Sequence, residues 1–536
     1  IKKNSFLSFG ARGSSTPSIS PFLSYVYANE KFTISTYLHY SYNISKGSNE
    51  SSATLFSDAG DTSSFYKSSY KYSSPTHSTG LYINGNYSPD TMNTISFWAG
   101  CYPHFQNSTS ISDVERMEYI DNPGNYSYVE NAFQDGFSFS GGAYGGLWYE
   151  HQFNDKGHKI SVDLSLNGYN SKDQSYETRD YISEELLDRY KLVNFNFKNF
   201  GVNASLDYTI PYHKDGEIEL GVSGGYDRDY NLSRMDTLIL EQNEYTIDRL
   251  RSKESLENDG DFEAYATIQH RFGNFTIKGG LRTEYEKFNL KMIDETYGDV
   301  NKGYWGFYPS LHLSYRTESM HNFKLSYARR VSNPSGDDLS AYCDYNEDSF
   351  STGNPDLRQA FTNSVEAGWS KFFQKFGNVG LNAYFRNTKD EFSTMTDVMY
   401  DPVFGRIVSF SKPLNAGKTL NTGAELNVMY RLKSFMNIRF YANMYYMQSS
   451  FQFRDQEDPH TVQNLGYSFR FNFWAKAWKV LEINMSANYA SKSKTLFTIE
   501  KPQKYLLSET SLSAPVPIVT FIAGSKRSAT PHPTQA

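Results

Sequence analysis

Apolar and polar residues alternate along most of this chain. The segment KISVDLSLNGY, which starts at Lys159, is typical, with apolar residues at every second position: Ile160, Val162, Leu164 and Leu166. Polar residues fill the positions between them: Ser161, Asp163, Ser165 and Asn167. Successive side chains of a β-strand point to opposite faces of its sheet, so each such segment predicts a strand with one apolar and one polar face. The sequence therefore predicts an all-β protein.

The connections between these strands alternate in length. Short turns join the strands in pairs at nine places: Asn29-Glu30, Pro89-Asp90, Asn154 to Gly157, Tyr212 to Gly216, Gly273-Asn274, Thr317 to His321, Gln374 to Phe376, Lys433 to Phe435, and Lys476 to Lys479. Much longer polar stretches separate the pairs, among them Asn43 to Ser78 and Asp229 to Asp261. Outer-membrane barrels have short periplasmic turns and long extracellular loops. We therefore predict a transmembrane antiparallel β-barrel.

The composition agrees with a barrel and excludes two other classes. Aromatic residues make up 16% of the 536 residues, and such barrels carry aromatic girdles at both membrane interfaces. The sequence contains no run of roughly 18 to 20 apolar residues, which a transmembrane helix would need. The formal net charge of -7 argues against a nucleic-acid partner.

The number of strands and the charges on the polar face favour a wide barrel. Nine hairpins give about eighteen strands from Ser20 to Ala490, and Ser5 to Ala11 adds one more, so about nineteen are recognisable. Barrels of about 22 strands are transporters with a plugged lumen. The predicted lumen face carries both signs of charge: Asp163, Glu219, Lys278, Arg282, Glu284, Glu366, Arg386, Glu425, Arg431, Arg439 and Arg470. A mixed lining of this kind suits contact with a folded plug, although an open, water-filled pore would also carry it.

Two ordered motifs resemble the barrel of TonB-dependent outer-membrane receptors, within the group called the outer membrane protein beta-barrel family. LSYARRVSNPSGDDLSAY precedes STGNPDLRQAFTNSVEAGW, and NTGAELNVMYRL follows later in the chain. The match covers roughly Tyr304 to Leu432, while the hairpin rhythm covers most of the chain.

This resemblance implies energised uptake across the outer membrane of a Gram-negative bacterium. It implies a small or oligomeric ligand bound by the extracellular loops, a plug that closes the lumen, and the TonB complex acting through that plug. It also implies that the lumen carboxylates Glu366 and Glu425 pair with arginines of the plug. The sequence contains no plug domain or TonB box, and it does not distinguish a siderophore, a glycan or a peptide as the ligand. A solvated carboxylate with no specific partner is the alternative interpretation of both glutamates.

The carboxyl-terminal region departs from the barrel pattern. If Ser5 to Ala11 is the first strand, Val480 to Ala490 is about the nineteenth, and a barrel of about 22 strands needs about three more. SKSKTLFTIEKPQKYLLSE, from Ser491, is interpreted as a loop, and the later PVPIVTFIA does not alternate. We expect residues 1–509 to form an incomplete barrel and residues 510–536 to be an irregular tail, as a frameshift or truncation near Glu509 would produce.

Two alternatives to a TonB-dependent receptor stay open at the level of sequence. One is a passive outer-membrane channel built on the same barrel, and the other is a β-rich binding protein that does not transport. No catalytic motif or metal-ligand spacing is present, so we expect neither an enzyme nor a bound cofactor or metal. Cys101 and Cys343 are interpreted as unrelated cysteines, although pairing between them stays open.

Overall fold

The chain is built almost entirely of β-strands. The computed structural model of the protein describes residues 4–13, 18–56, 62–118, 126–181, 189–239, 243–293, 297–345, 349–401, 406–415, 417–432, 435–451, 460–477, 481–494, 499–500 and 503–512. The strands are β1 (Asn4–Gly13), β2 (Ser18–Ala28), β3 (Phe32–Phe56), β4 (Thr62–Tyr87), β5 (Asn93–Cys101), β6 (His104–Glu118), β7 (Tyr126–Gln152), β8 (Lys159–Tyr181), β9 (Arg189–Tyr212), β10 (Gly216–Ile239), β11 (Glu244–Ile247), β12 (Lys253–Phe272), β13 (Phe275–Met292), β14 (Val300–Arg316), β15 (His321–Ser332), β16 (Cys343–Tyr345), β17 (Ser349–Thr352), β18 (Ala360–Phe373), β19 (Gly377–Lys389), β20 (Phe392–Asp401), β21 (Arg406–Asn415), β22 (Lys418–Leu432), β23 (Met436–Phe451), β24 (His460–Ala477), β25 (Leu481–Ala490), β26 (Ser493–Lys494), β27 (Ile499–Glu500) and β28 (Gln503–Leu512). Within these residues the one helix is α1 (Gly336–Leu339).

One antiparallel sheet of 22 strands follows the order of the chain from β1 to β28. β5 and β6 together occupy one position between β4 and β7, and β11 and β12 share the position beside β10. The chain therefore crosses the sheet about twenty times, and β25 is the nineteenth crossing, as the sequence predicts. Among the described residues, β1 pairs with β2 alone and β28 with β25 alone.

The strands on either side of all nine predicted short turns are neighbours in this sheet, which confirms that part of the sequence interpretation; residues 433–434 and 478–480, within two of these turns, lie outside the described residues. The long stretches differ from expectation, because four of them are mostly strand. β3 and β4 stay paired from Phe32↔Tyr87 out to Phe56↔Thr62, and β7 to β10 extend in the same way. Backbone pairing thus continues well beyond the roughly 9 to 11 residues that span a bilayer.

The interpretation of the segment after Ser491 as a loop is wrong in its second half. Residues Gln503–Leu512 form β28 and pair with β25 from Leu481↔Leu512 to Ala490↔Gln503. Consecutive Tyr505, Leu506 and Leu507 break the alternation, which is why the pattern did not predict this strand. The strand also passes the predicted boundary at residue 509. Residues 513–536 lie outside the described residues, so the irregular tail stays a prediction.

The two faces of the sheet differ in chemistry as the alternation predicts. On β13 the outward residues Leu281 and Tyr285 are 52% and 38% exposed, and the Tyr285 ring lies 5.6 Å from that of Trp305 on β14. Lys278 and Arg282 point to the opposite, inner face, where each forms an ion pair. About 11 residues separate the short turn before Phe275 from Tyr285, which is the span of a bilayer. Residues beyond Tyr285 therefore lie outside the membrane-spanning segments.

Candidate functional site

Glu366 and Glu425 lie on the same face of the sheet, on either side of β19. Glu366 on β18 is opposite Tyr384, and Glu425 on β22 is opposite Asn382. Since Asn382 and Tyr384 are two residues apart on β19, their side chains share a face, and the two glutamates share it with them. Residues one or three positions away along the same two strands take the outer face: Val365, Ala367, Leu426 and Val428.

The surroundings of these two glutamates differ. The Arg386 guanidinium donates to Glu366 Oε1 at 2.8 Å, and the Ser364 hydroxyl donates to the same oxygen at 3.3 Å. Glu425 has no ion pair among the described residues and lines a cavity of about 230 Å³ together with Lys324 and Tyr441. Glu366 is thus neutralised by the barrel wall itself, whereas Glu425 is hydrogen-bonded to Tyr441 but keeps its charge unpaired among the described residues.

Charges on the inner face are separated between two walls. The acidic wall on β10, β12 and β13 consists of eight carboxylates: Asp227, Asp229, Glu257, Asp259, Asp261, Glu263, Glu284 and Glu286. The basic wall on β15 to β24 carries seven cations: Lys324, Arg330, Arg386, Arg431, Arg439, Arg470 and Lys476. Arg282 bridges Glu263 at 3.1 Å and Glu284 at 3.5 Å, which neutralises the acidic wall only in part.

A small folded unit, which we call the cap, lies beyond the membrane-spanning part of the barrel. The cap consists of the described residues within 333–359 and 392–415, and it contains α1 and a four-stranded sheet of β16, β17, β21 and β20. β17 pairs with β21 in parallel, and the rings of Phe350 and Phe410 lie 4.7 Å apart across that pair. Two connections that are far apart in sequence thus form one structure.

The Gly353-Asn354-Pro355 motif joins the two parts of the cap. Asn354 is buried; its amide side chain donates to the Pro413 carbonyl at 3.1 Å, and its backbone N–H donates to the Asp338 carbonyl at 2.6 Å. Any Cβ at Gly353 would collide with the carbonyl oxygens of the α1 turn, so only glycine fits. The motif that carries the family resemblance therefore holds the cap together.

The cap packs on an apolar patch of the inner face. Leu339, Tyr342 and Leu357 of the cap cluster with inner-face residues of β13 and with Val300 at the start of β14. The β13 members of this cluster are Phe288, Leu290 and Met292. In the membrane-spanning half of β13 the inner positions are polar, so the apolar face changes sides near Tyr285. This switch is visible in KFNLKMI, which starts at Lys287, and it is a sequence signal for the cap that the alternation of single strands did not reveal.

Carboxylates of the acidic wall contact the cap at two points. The Asn333 side chain donates to Glu286, and Gln359 Nε2 donates to Asn333 Oδ1 at 2.7 Å, so both ends of the first cap segment meet there. The Glu257 carboxylate lies against Gly336, where a Cβ would collide with it. Burial, aided by nearby carboxylates, raises the pKa of Glu257 to about 7 and that of Glu286 to about 7.

A cavity of about 430 Å³ lies between the cap and the inner wall. Asn231, Ser233 and Lys253 line it from the barrel, and Tyr342 and Thr352 line it from the cap. Its other lining residues are Phe195, Asp337, Asp338, Ser340, Asp344, Ser351, Gly353, Thr394, Ser411 and Pro413. Ligand sites of this size hold small organic molecules.

Other classes of site have no structural support in the described part of the chain. No three His, Cys, Asp or Glu side chains of these residues are arranged to hold a metal ion. Cys101 and Cys343 are both free thiols. Within the same residues, no helix is long and apolar enough to cross a bilayer.

Comparisons with known proteins agree on one fold. The model of the outer membrane protein beta-barrel family matches residues 151–510, and no curated protein matches the chain in sequence. The copper transporter OprC superposes on 95% of this chain and 72% of its own, with 11% identity and a TM-score of 0.58. The FrpB iron transporter from Neisseria meningitidis superposes on 96% of this chain and 75% of its own, with 13% identity and a TM-score of 0.52. At such identities the likeness is one of fold.

Proposed function

The chain belongs to the outer membrane protein beta-barrel family, and on that premise we propose that it forms the barrel of a receptor that imports a scarce ligand with energy supplied through TonB. The family and the fold place it in the outer membrane of a Gram-negative bacterium. Membership of this family argues against the β-rich binding protein without a transport role that the sequence left open.

The cap is the observation that favours a receptor over a passive channel. It folds inward over Phe288, Leu290 and Met292, so the inner face carries a structured unit with its own cavity. A diffusion pore needs a continuous water-filled path, whereas a receptor needs a surface that holds its ligand. A folded, polar cavity next to the lumen meets the second need.

We further propose that Glu425, rather than Glu366, pairs with an arginine of a plug domain. Glu366 already accepts from Arg386 at 2.8 Å, so a second cation would gain little from it. Glu425 lines an open cavity and has no ion pair among the described residues. Charge pairs across a domain interface select orientation more than they add affinity, so this pair would fix how the plug sits.

The full-length gene product tests the receptor function in two ways. Purified protein should bind the carboxyl-terminal domain of TonB in a pull-down assay, and planar bilayers containing it should show little steady conductance. A matched porin serves as the control for conductance. Steady ohmic conductance together with no TonB binding would establish the passive channel instead.

A further inference from the structure

Strands β8 to β13 carry positive charge on their outer face, just beyond the membrane-spanning part of the barrel. Four outward-facing cations make up what we call the cation row: Lys172, Lys198, Arg228 and Lys287. Each lies an even number of positions from lipid-facing residues of its own strand, such as Leu164 on β8 and Leu281 on β13, so it shares their face. All four side chains are exposed. The inner face of β10 to β13 is the acidic wall, so the two faces of these strands carry opposite charge.

The cation row lies at the height of the lipid headgroups. Each of its members is 12 to 14 residues from the end of its strand at the short turn. At about 3.3 Å per residue and a strand tilt of about 40°, the row is roughly 30–35 Å above those turns. The apolar band of an outer-membrane barrel is about 25 Å tall. An aromatic girdle directly below the row marks the upper edge of that band: Phe200, Tyr226, Phe262 and Tyr285.

The charges of the cation row are not neutralised by the described part of the protein. None of the four cations forms an ion pair with a described residue; Lys198 Nζ lies 5.5 Å from the centre of the Tyr230 ring, and Lys287 donates to Asn301. Between the row and the short turns, the outward positions of these strands hold no Asp, Glu, Lys or Arg. In the opposite direction, the first outward carboxylate is Glu254 on β12, which accepts from the Tyr230 hydroxyl at 2.8 Å. Four unpaired positive charges therefore face the headgroup region.

The strand register brings three of these cations close together. Lys172 on β8 and Lys198 on β9 are diagonal neighbours, and Lys198 and Arg228 on β10 are diagonal neighbours in turn. Diagonal neighbours on one face of a sheet are about 7–8 Å apart. Lys287 continues the row two strands further on. Like charges at this spacing repel one another, so an anion that lies between them is favoured.

We propose that the cation row binds the phosphate groups of a phosphorylated glycolipid in the outer leaflet of the membrane, while the acyl chains of that lipid pack on the aromatic girdle. A phosphate monoester carries about −1.5 to −2 charges at pH 7, so it matches closely spaced cations better than a phosphodiester with a single charge does. The guanidinium of Arg228 can also bind a phosphate through two parallel hydrogen bonds. The inference rests on the outer-membrane location of the chain and not on energised uptake.

Lipid binding by the purified full-length protein tests the assignment, measured by native mass spectrometry in a non-ionic detergent with a chelator present. The chelator removes divalent cations, which would otherwise bridge lipid phosphates to carboxylates. Bisphosphorylated lipid A and its dephosphorylated form are the matched pair, since they share every acyl chain. Phosphatidylglycerol tests a phosphodiester lipid, and inorganic pyrophosphate tests phosphate without a lipid.

Lipid A should bind at least about tenfold more tightly than its dephosphorylated form and than phosphatidylglycerol, because each engaged cation contributes about fivefold. Pyrophosphate at equal concentration should leave lipid A bound, since it has no acyl chains to pack on the girdle.

Substitutions show whether the cation row is the site. Lys198→Gln combined with Arg228→Gln should weaken lipid A binding at least about tenfold, whereas Lys198→Arg keeps the charge and should keep the binding. Lys156→Gln combined with Lys214→Gln is the matched control, because it removes the same charge from exposed lysines in two short turns at the other end of the barrel. This control should bind lipid A as the wild type does. Heat-modifiable migration in gels checks that each variant forms a folded barrel.

The results separate this inference from the receptor function. Equal binding of lipid A and its dephosphorylated form, equally tight binding of phosphatidylglycerol, or displacement of lipid A by pyrophosphate would overturn the lipid phosphate site. The absence of lipid A binding, or equal binding by the Lys198/Arg228 variant and its control, would overturn it as well. None of these results would alter TonB binding by the same protein. Loss of TonB binding with the lipid selectivity intact would instead overturn energised uptake and leave the cation row in place.

Discussion

The acidic wall and the basic wall belong to one sheet and share one strand pattern, yet their inner faces have opposite charge. Their outer faces are alike: Leu281 on β13 and Leu381 on β19 are 52% and 48% exposed. The outer faces are uniform because every strand meets the same lipid. The inner faces differ because each wall meets a different neighbour. The acidic wall holds the cap, and we propose that the basic wall, with Glu425 among its arginines, faces a plug.

Of the changes considered, a substitution in the core of the cap should most strongly affect the difference between the two walls. Leu357 is 1% exposed, so Leu357→Ala should destabilise the docked cap by about 2–5 kcal/mol while the barrel stays intact. Limited proteolysis should then cleave the cap segment, with the barrel still heat-modifiable in gels. Leu220→Ala on the outer face of β10 is the matched control, since it leaves no buried cavity. Equal protection of the cap in both variants would contradict its packing on the acidic wall.

Docking of the cap should weaken as pH rises. Burial first, and then Asp229, Asp259 and Asp337, raise the pKa of Glu257 to about 7 from 4.5, while Lys253 lowers it. The docked cap therefore favours the protonated carboxyl. This contribution is fully present below about pH 4.5 and is lost as pH rises through about 7. With allowance for solvent screening, we expect a loss of about 1 kcal/mol.

Hydrogen exchange of residues 335–352 between pH 5 and pH 8, corrected for intrinsic exchange rates, measures this effect. Exchange should speed up with pH in the wild type, whereas Glu257→Gln combined with Glu286→Gln, the second carboxylate that contacts the cap, should keep the cap protected at pH 8. Glu318→Gln, in a short turn at the opposite end, is the control. Protection that does not depend on pH would show that Glu257 has no influence on the cap.

A charge reversal on the basic wall should loosen the plug rather than the cap. In the full-length receptor, we expect Glu425→Arg to raise passive leak across planar bilayers about two- to fivefold, the equivalent of losing one exposed charge pair. The same change at Glu366 should have less effect on leak, since Arg386 already occupies that carboxylate. Unchanged conductance in both variants would show that these glutamates contact no plug and are only polar residues of the lumen lining.

Breaking the ion pair within the basic wall should have the smallest effect. Glu366→Gln removes the pair with Arg386, whose side chains are 35% and 44% exposed, so we expect less than about 1 kcal/mol of lost stability. Thermal unfolding in detergent measures the loss, and added salt should shrink it. A loss of stability of several kcal/mol would contradict this prediction, because it would mean that the ion pair is shielded from water despite the exposure of both side chains.

Alternation and turn spacing in the sequence determined the fold. All nine short turns and the nineteen recognisable strands follow from a period of two, because a strand that faces lipid on one side must be apolar at every second residue. Both Glu366 and Glu425 could be assigned to one face by the same rule. Where the period failed, as at Tyr505, Leu506 and Leu507, the strand was missed.

Only the tertiary structure decided what the inner face does. The cap joins residues 333–359 to residues 392–415, and a local pattern carries no information about contacts between segments so far apart. The inner patch of Phe288, Leu290 and Met292 could have been read from the sequence, but its partner could not. The same holds for Glu366, whose bond to Arg386 depends on the register of two strands. Short-range periodicity specifies which face a side chain takes, whereas contacts between strands and between distant segments depend on how the folded barrel brings them together.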